Sequence, residues 1–239
     1  GAIVPLVYFA RPNQSLLKLG KFRFDGKALL RTCTNGASEL MSNLSMSLVS
    51  MLYNLQLIRY AGENGIAAYG VIMYVNFVFM SVFIGYAIGS APLIGFNYGA
   101  DNRPELKNIF RKSLVILTGF SLLMAGSAFL VSRPFSRIFV GYDPKLLEIT
   151  VRGFRLYALS FLFRGFNMFG SSLFPALNNV LISAAMSFFR TLICQIVAVL
   201  LLPLIWGIDG IWAGVIVAEF MAVVLGIIFL IAKRKKYHY

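Results

Sequence analysis

Glu39 is the residue of this chain hardest to reconcile with its neighbours. It lies in the stretch Asn35-Gly36-Ala37-Ser38-Glu39-Leu40-Met41-Ser42-Asn43. That stretch belongs to an apolar run reaching Ile58, longer than the roughly 20 residues that cross a bilayer as a helix. At 100° per residue, Ser50, Asn43, Asn54 and Ser47 fall at about 20°, 40°, 60° and 80° from Glu39. Five polar side chains thus share one narrow sector, with Met41, Leu44, Leu48, Met51, Leu52 and Leu55 over much of the rest. Such a seam lines a wet cavity or a packed polar interface and does not face lipid. Exclusion of water favours the neutral carboxylic acid, so Glu39 is suited to exchanging a proton near neutral pH.

Three further charges fall inside apolar runs: Arg164, Arg190 and Glu219. A guanidinium in lipid costs at least about 2.5 kcal/mol, so both arginines should point inward. Counting 1.5 Å per residue from the expected cytoplasmic ends, Glu39 lies roughly 12–16 Å deep, Arg164 roughly 9–12 Å and Arg190 roughly 15 Å. Either arginine is therefore within reach of Glu39, and Arg190 is also a partner for Glu219. Glu39 has three open readings: a proton or cation carrier, a static ion pair, or a solvated rim position. Asn43, Ser47, Ser50, Asn54 and Tyr53 are candidate cavity-lining residues, against ordinary hydrogen bonding between helices. Tyr53, Tyr74, Asn76, Phe77 and Met80 offer an aromatic and thioether surface for a flat organic molecule, with core packing as the alternative.

The elements that must hold these residues follow from composition. Hydrophobic residues make up 59% of the chain and charged ones 13%, with a mean hydropathy of +0.77. Several segments exceed the apolar length of a membrane span, so the expected class is all-α and polytopic. The short alternating segments of a β-barrel are missing. The net charge of +13 does not indicate nucleic acid, because the basic residues sit in short loops between apolar spans. Cys33 and Cys194 lie in apolar surroundings and show no metal-ligand or disulfide spacing. The one histidine, His238, is in the tail. With no phosphate-cradling glycine loop either, no catalytic constellation supports an enzyme, and no cofactor or resident metal is expected.

In order, residues 1–10 read as the end of a preceding transmembrane helix, whose beginning would lie in a longer protein. Residues 11–28 read as a basic cytoplasmic linker suited to the headgroup layer, 29–232 as a six-helix transmembrane lobe, and 233–239 as a basic cytoplasmic tail. The expected spans are 29–58, 66–98, 113–131, 145–172, 180–205 and one ending at Ala232. Turns are expected over Arg59–Gly65, Pro175–Asn179 and Trp206–Gly210. Pro92 is the expected kink of the second span, Gly85 and Gly89 a close-approach pair, and 132–144 room for a short surface helix. The third span is expected to touch lipid widely. Lys and Arg number fourteen in the linker with Arg31 just beyond it, the 101–112 loop and the tail, against four in the opposite loops. Both ends are therefore expected in the cytoplasm.

Several stretches together resemble the carboxyl-terminal half of the multidrug and toxic compound extrusion (MATE) family of antiporters. They are Gly62-Glu63-Asn64-Gly65-Ile66-Ala67-Ala68-Tyr69-Gly70, Gly95-Phe96-Asn97-Tyr98-Gly99-Ala100 and Ser172-Leu173-Phe174-Pro175-Ala176-Leu177. Leu202-Pro203 through Gly207-Ile208-Asp209-Gly210-Ile211-Trp212 to Ala218-Glu219 completes the pattern. The resemblance implies one six-helix lobe of a twelve-helix secondary transporter, its partner being an amino-terminal lobe that this chain lacks. It implies export of amphipathic, often cationic organic compounds in exchange for Na+ or H+, from the bacterial cytoplasmic membrane. Glu39 would then be the coupling acid, with Na+ as its transient occupant if sodium is the driving ion. The chain departs from those members that carry an acid in the fourth helix, where it has Arg152, Arg155 and Arg164. Two rival readings stay open. One is a flippase for lipid-linked precursors, which would want a cationic cavity; the other is a non-transporting membrane scaffold.

Overall fold

The computed structural model describes residues 7–9, 25–177 and 185–237, leaving aside the side chains of Ala28, residues 30–42 and residues 233–237. Contacts divide the chain into two units, residues 1–39 and 40–239. In the first, residues 7–9 are helical and Tyr8 meets Phe9 edge to face at 5.2 Å. Asp25 opens the first long helix there: its Oδ1 accepts from the Lys27 amide at 2.9 Å. The helices described from Arg103 onward lie within the second unit.

Helix α1, Gly26–Gly99, is broken only at Gly62, whose φ of 63° and ψ of −150° are not helical. Tyr53 and Tyr69 lie on opposite sides of that break with rings stacked at 5.9 Å. Unbroken helix would hold them about 24 Å apart, so α1 is a hairpin of two antiparallel arms. The turn expected over Arg59–Gly65 is therefore a single residue, and Gly65 is helical. Backbone at this φ and ψ is close to a region open essentially to glycine alone. Pro92, the expected kink of the second span, lies inside the second arm at helical φ and ψ.

Helix α2, Arg103–Val140, starts on Asn102, whose side chain accepts from the Glu105 amide, with Pro104 in the first turn. It runs through Pro134, so the expected surface helix over 132–144 is the last part of α2. Ser113, Leu117, Ser121, Ala125, Ala128, Ser132 and Ser136 are buried at helical spacing. Val115, Leu122, Leu123 and Leu130 are exposed on the other side, an apolar face suited to lipid.

Helix α3, Pro144–Ala158, is capped by Asp143, which accepts from the amides of Lys145 and Leu146. Helix α4, Phe161–Ala176, follows after Leu159 and Ser160, both still right-handed helical at φ −64°. Amides 159, 160, 162 and 163 bond three residues back. The fourth pass is thus one helical path with a 3₁₀ tightening in it, where an unbroken span over 145–172 was expected.

The fifth pass, Ala185–Trp206, contains a π-helical turn at Phe189–Cys194 followed by α5, Gln195–Trp206. Gly207, at φ 58° and ψ −134°, reverses the chain into α6, Ile208–Tyr237. The backbone of α6 continues beyond Ala232, where the sixth span was expected to end. Two arms of α1, α2, α3 with α4, 185–206 and α6 make six helical passes among the described residues. Among the described residues four helices are long and apolar enough to cross a membrane, the first being the α1 hairpin; α3 and α4 are each too short alone.

Small residues set the close approaches. A Cβ on Gly153 would meet Cε2 of Trp212 at 2.6 Å, one on Gly165 would meet Cε1 of Phe83 at 2.8 Å, and one on Gly210 would meet the Leu202 carbonyl oxygen at 2.3 Å. Gly85 and Gly89, expected to form such a contact, have nothing within 4 Å in this chain. The core around these points contains Phe83, Phe154, Phe161, Ile72, Leu117, Ile211 and Trp212.

Candidate functional site

A cavity of about 560 Å³ opens among α1, α3, α4, the π turn with its exit, and α6, and its charged lining residues are Arg164, Arg190 and Glu219. The first arm of α1 contributes Met46, Ser47, Val49, Ser50 and Tyr53; the second contributes Tyr69, Met73, Asn76, Phe77 and Met80. Tyr157 of α3 and Arg164 and Met168 of α4 form another wall. Arg190, Thr191 and Gln195 come from the π turn and its exit, Val215 and Glu219 from α6.

Glu219 is the centre of a buried polar cluster. Its carboxylate accepts from Nδ2 of Asn167 at 2.7 Å, and the same nitrogen donates to the Glu219 carbonyl at 2.9 Å. Nε of Arg164 lies 3.4 Å from its Oε1, and a terminal nitrogen of Arg190 lies 3.8 Å from its Oε2. Arg164 also donates to the Tyr157 hydroxyl at 2.7 Å and to Oδ1 of Asn76. Its guanidinium stacks over Tyr157 at 4.9 Å and Phe161 at 5.7 Å. A charge this far from water persists only with such a set of partners.

The π turn decides which residues face the cavity. Residues five apart in an α-helix sit about 140° apart around the axis. Bonds from i to i+5 close a wider turn and bring such residues toward one face, and here Arg190 and Gln195 both line the cavity. Gln195 accepts from the Tyr53 hydroxyl at 2.7 Å, tying α5 to α1.

Of the residues singled out in the sequence, Ser47, Ser50 and Tyr53 line this cavity, and Asn43 and Asn54 do not. Asn54 donates to the carbonyl of Ser50 at 3.0 Å, within its own helix. Asn76, Phe77 and Met80 line it, while Tyr74 instead stacks on Phe139 at 6.0 Å. Arg164 and Arg190 converge on Glu219. The Glu39 and Cys33 side chains, the 11–24 linker and the tail side chains lie outside the described residues, as do Asn178 and Asn179 of the expected Pro175–Asn179 turn, whose Pro175 and Ala176 are still the last residues of α4. Asn167, Tyr157, Thr191 and Gln195 escaped the sequence reading. Polar groups in apolar runs were the available signal, and without a fold no partner could be assigned to them.

Arg152 and Arg155 turn elsewhere. They border a larger groove of about 990 Å³ with Arg133, Trp206 and Asp209. Arg152 pairs with Asp209 there while staying 70% exposed. Arg155 lies 5.0 Å over the Phe129 ring.

Comparison with known proteins bears on fold and family. The MatE family model matches residues 40–201. No curated protein sequence matches the chain. Among solved structures, the chain is similar to an outward-facing multidrug resistance MATE family transporter of the MOP superfamily, with a TM-score of 0.84 at 18% identity. That match covers 99% of this chain and 54% of the other. An inward-facing MATE family transporter of the same superfamily matches with a TM-score of 0.82 at 19% identity, over 91% and 50%. A MOP superfamily transporter from Pyrococcus furiosus Vc1 (DSM3638), described as having a binding pocket of reverse polarity that suggests a different function, gives 0.82 at 18%, over 100% and 54%. The chain spans about half the length of these structures. With the family model covering most of the chain and the fold agreeing throughout, this multi-pass membrane protein belongs to the MatE family.

Proposed function

We propose that this chain is one lobe of a secondary transporter that moves small amphipathic organic compounds across the bacterial cytoplasmic membrane in exchange for Na+ or H+. A second six-helix lobe completes the pathway, and both ends of this one face the cytoplasm. One observation carries the reading. The same lobe resembles half of an outward-facing transporter and half of an inward-facing one, with TM-scores of 0.84 and 0.82. A body that keeps its internal packing in both states is what rocking-type alternating access requires.

Within that cycle Glu39 serves as the coupling acid, taking up a proton or Na+ on one side and releasing it on the other. Its place in the polar seam of the first apolar run supports this role. Arg164 and Glu219 supply a fixed framework through their ion pair and shared neighbours. The test is gradient-driven transport in proteoliposomes carrying the protein made from its complete reading frame. Glu39→Gln is expected to abolish uptake driven by a Na+ or proton gradient while leaving membrane insertion intact. Undiminished transport by that variant would remove Glu39 from the mechanism.

A second reading, translocation of an anionic lipid-linked precursor, is favoured by the two guanidiniums at the cavity wall. Export of a soluble dye by the unaltered protein, with no movement of a labelled lipid pyrophosphate between leaflets, would decide against it.

A further inference from the structure

We propose that the cavity beside Glu219 is an anion-recognition site. It would hold an amphipathic organic molecule through one carboxylate, sulfonate or phosphate group placed on Arg190. The proposal rests on the transporter reading and narrows its substrate class, away from the organic cations that the family resemblance implies.

The charges on the wall do not cancel. Among the described lining residues, two guanidiniums face one carboxylate. Nor is that carboxylate shared equally. Glu219 lies 3.4 Å from Arg164 through Oε1, and Asn167 donates to its Oε2 at 2.7 Å. Arg190 approaches the same Oε2 only at 3.8 Å, beyond hydrogen-bond distance. Arg164 is further occupied by Tyr157 and Asn76 and covered by two aromatic rings. The Nε atoms of both arginines are buried without a hydrogen-bond partner among the described residues, but only Arg164 has its terminal nitrogens engaged by such partners, whereas Arg190 has the 3.8 Å approach alone. Its side chain is also the more open of the two, 17% exposed against 9%. The surplus positive charge of the wall therefore resides on Arg190.

An unspent guanidinium has a specific chemistry. It offers parallel N–H donors in a planar fork that matches a carboxylate or phosphate, and it stays charged at any accessible pH. The π turn sets Thr191 and Gln195 beside it at the wall, adding a hydroxyl and an amide that can donate to the same anion. Met73, Met80 and Phe77 line the same cavity, a pliable apolar surface for the remainder of the molecule. A cavity of about 560 Å³ is the size of sites that take drug-sized ligands. An ammonium placed in the same position would meet Arg190 at close range with little water to screen it.

The test uses two probes of one shape and opposite charge, naphthalene-2-sulfonate and 2-naphthylmethylammonium. Binding is measured by equilibrium dialysis on the protein from its complete reading frame, in phosphatidylcholine nanodiscs. The sulfonate is expected to bind saturably and at least about tenfold more tightly than the ammonium. Arg190→Gln should weaken sulfonate binding at least about tenfold, and Arg190→Lys, which keeps the charge, should recover most of it. Repeating the measurement in phosphatidylglycerol discs separates two sources of the anion. Loss of sulfonate binding there makes a lipid headgroup the occupant, and undiminished binding makes it a soluble acid; either supports an anion site. Equal or tighter binding of the ammonium, or unchanged sulfonate binding by Arg190→Gln, overturns the proposal. Should Arg190→Gln fail to fold, the probe pair on the unaltered protein decides alone. Gradient-driven export of the ammonium without sulfonate binding would sink this inference and spare the transporter reading. Sulfonate binding without vectorial transport would do the reverse.

Discussion

At the scale of single residues, the two intramembrane arginines do different work, and stability measurements should separate them. Removing Arg164 strips Glu219 of its nearest cation and leaves the Tyr157 hydroxyl and Asn76 facing an apolar side chain. Breaking a buried pair from one side costs about 3–5 kcal/mol, so Arg164→Leu is expected to lower the thermal unfolding midpoint substantially. Arg190→Leu leaves the contacts of Glu219 with Arg164 and Asn167 in place and should cost under about 1 kcal/mol. Equal losses for the two variants, read by thermal unfolding in one detergent, would mean that the cluster shares its charge evenly. Glycines divide in the same way. A methyl at Gly153 would press into the Trp212 indole, so Gly153→Ala should destabilise by about 1–3 kcal/mol. Gly89 has open space around it in this chain. Gly89→Ala should leave the isolated lobe unharmed, or firmer by up to about 1 kcal/mol through helix propensity.

At the scale of elements, two helical hairpins share one device. Gly62 and Gly207 have nearly the same backbone, φ 63° and ψ −150° against φ 58° and ψ −134°. Neither would meet an atom within 4 Å if given a Cβ. The cost of substitution there is accordingly backbone strain without a clash, of order 1–3 kcal/mol. Gly62→Ala and Gly207→Ala should both reduce the yield of folded protein, visible as a fall in the monodisperse fraction on size exclusion, whereas Gly70→Ala, at a helical position with open space, should not. Two departures from α-helical pitch bracket the polar cluster. The 3₁₀ tightening at Leu159–Ser160 precedes Arg164, and the π turn holds Arg190. Each shifts the local helical phase, and in this way side chains from two helical passes converge on Glu219 of a third.

At the scale of the whole molecule, the transporter reading requires that residues 40–239 move as a body. Spin labels at Leu130 of α2 and Ile205 of α5, both largely exposed, report on its rigidity. With Cys33 and Cys194 replaced, double electron–electron resonance should give one distance distribution that stays unchanged when a Na+ or proton gradient is imposed. A shift of several ångströms would place the conformational change inside the lobe. Pairs joining Leu130 to positions in the partner lobe should shift under the same conditions.

Much of this architecture was legible in the amino-acid order because a bilayer is an undemanding judge of sequence. Long apolar runs must be helices, since no other single segment satisfies its backbone there. Pro104 with Glu105 and Asp143 with Pro144 mark helix starts by local chemistry alone. Gly62 and Gly207 mark reversals for the same reason. The partner of a buried charge was not legible. Depth along the helices left Glu39 and Glu219 both within reach of the arginines, and depth says nothing about azimuth. Azimuth depends on local pitch, on the π turn at Arg190 and the tightening before Arg164, and on the small residues that let α3 and α6 close on each other. Sequence determined that these charges had to be paired inside a six-pass helical lobe. Only the tertiary structure decided that the pairing centres on Glu219 and leaves Arg190 facing the cavity, because side-chain direction is a property of packed helices and not of their order along the chain.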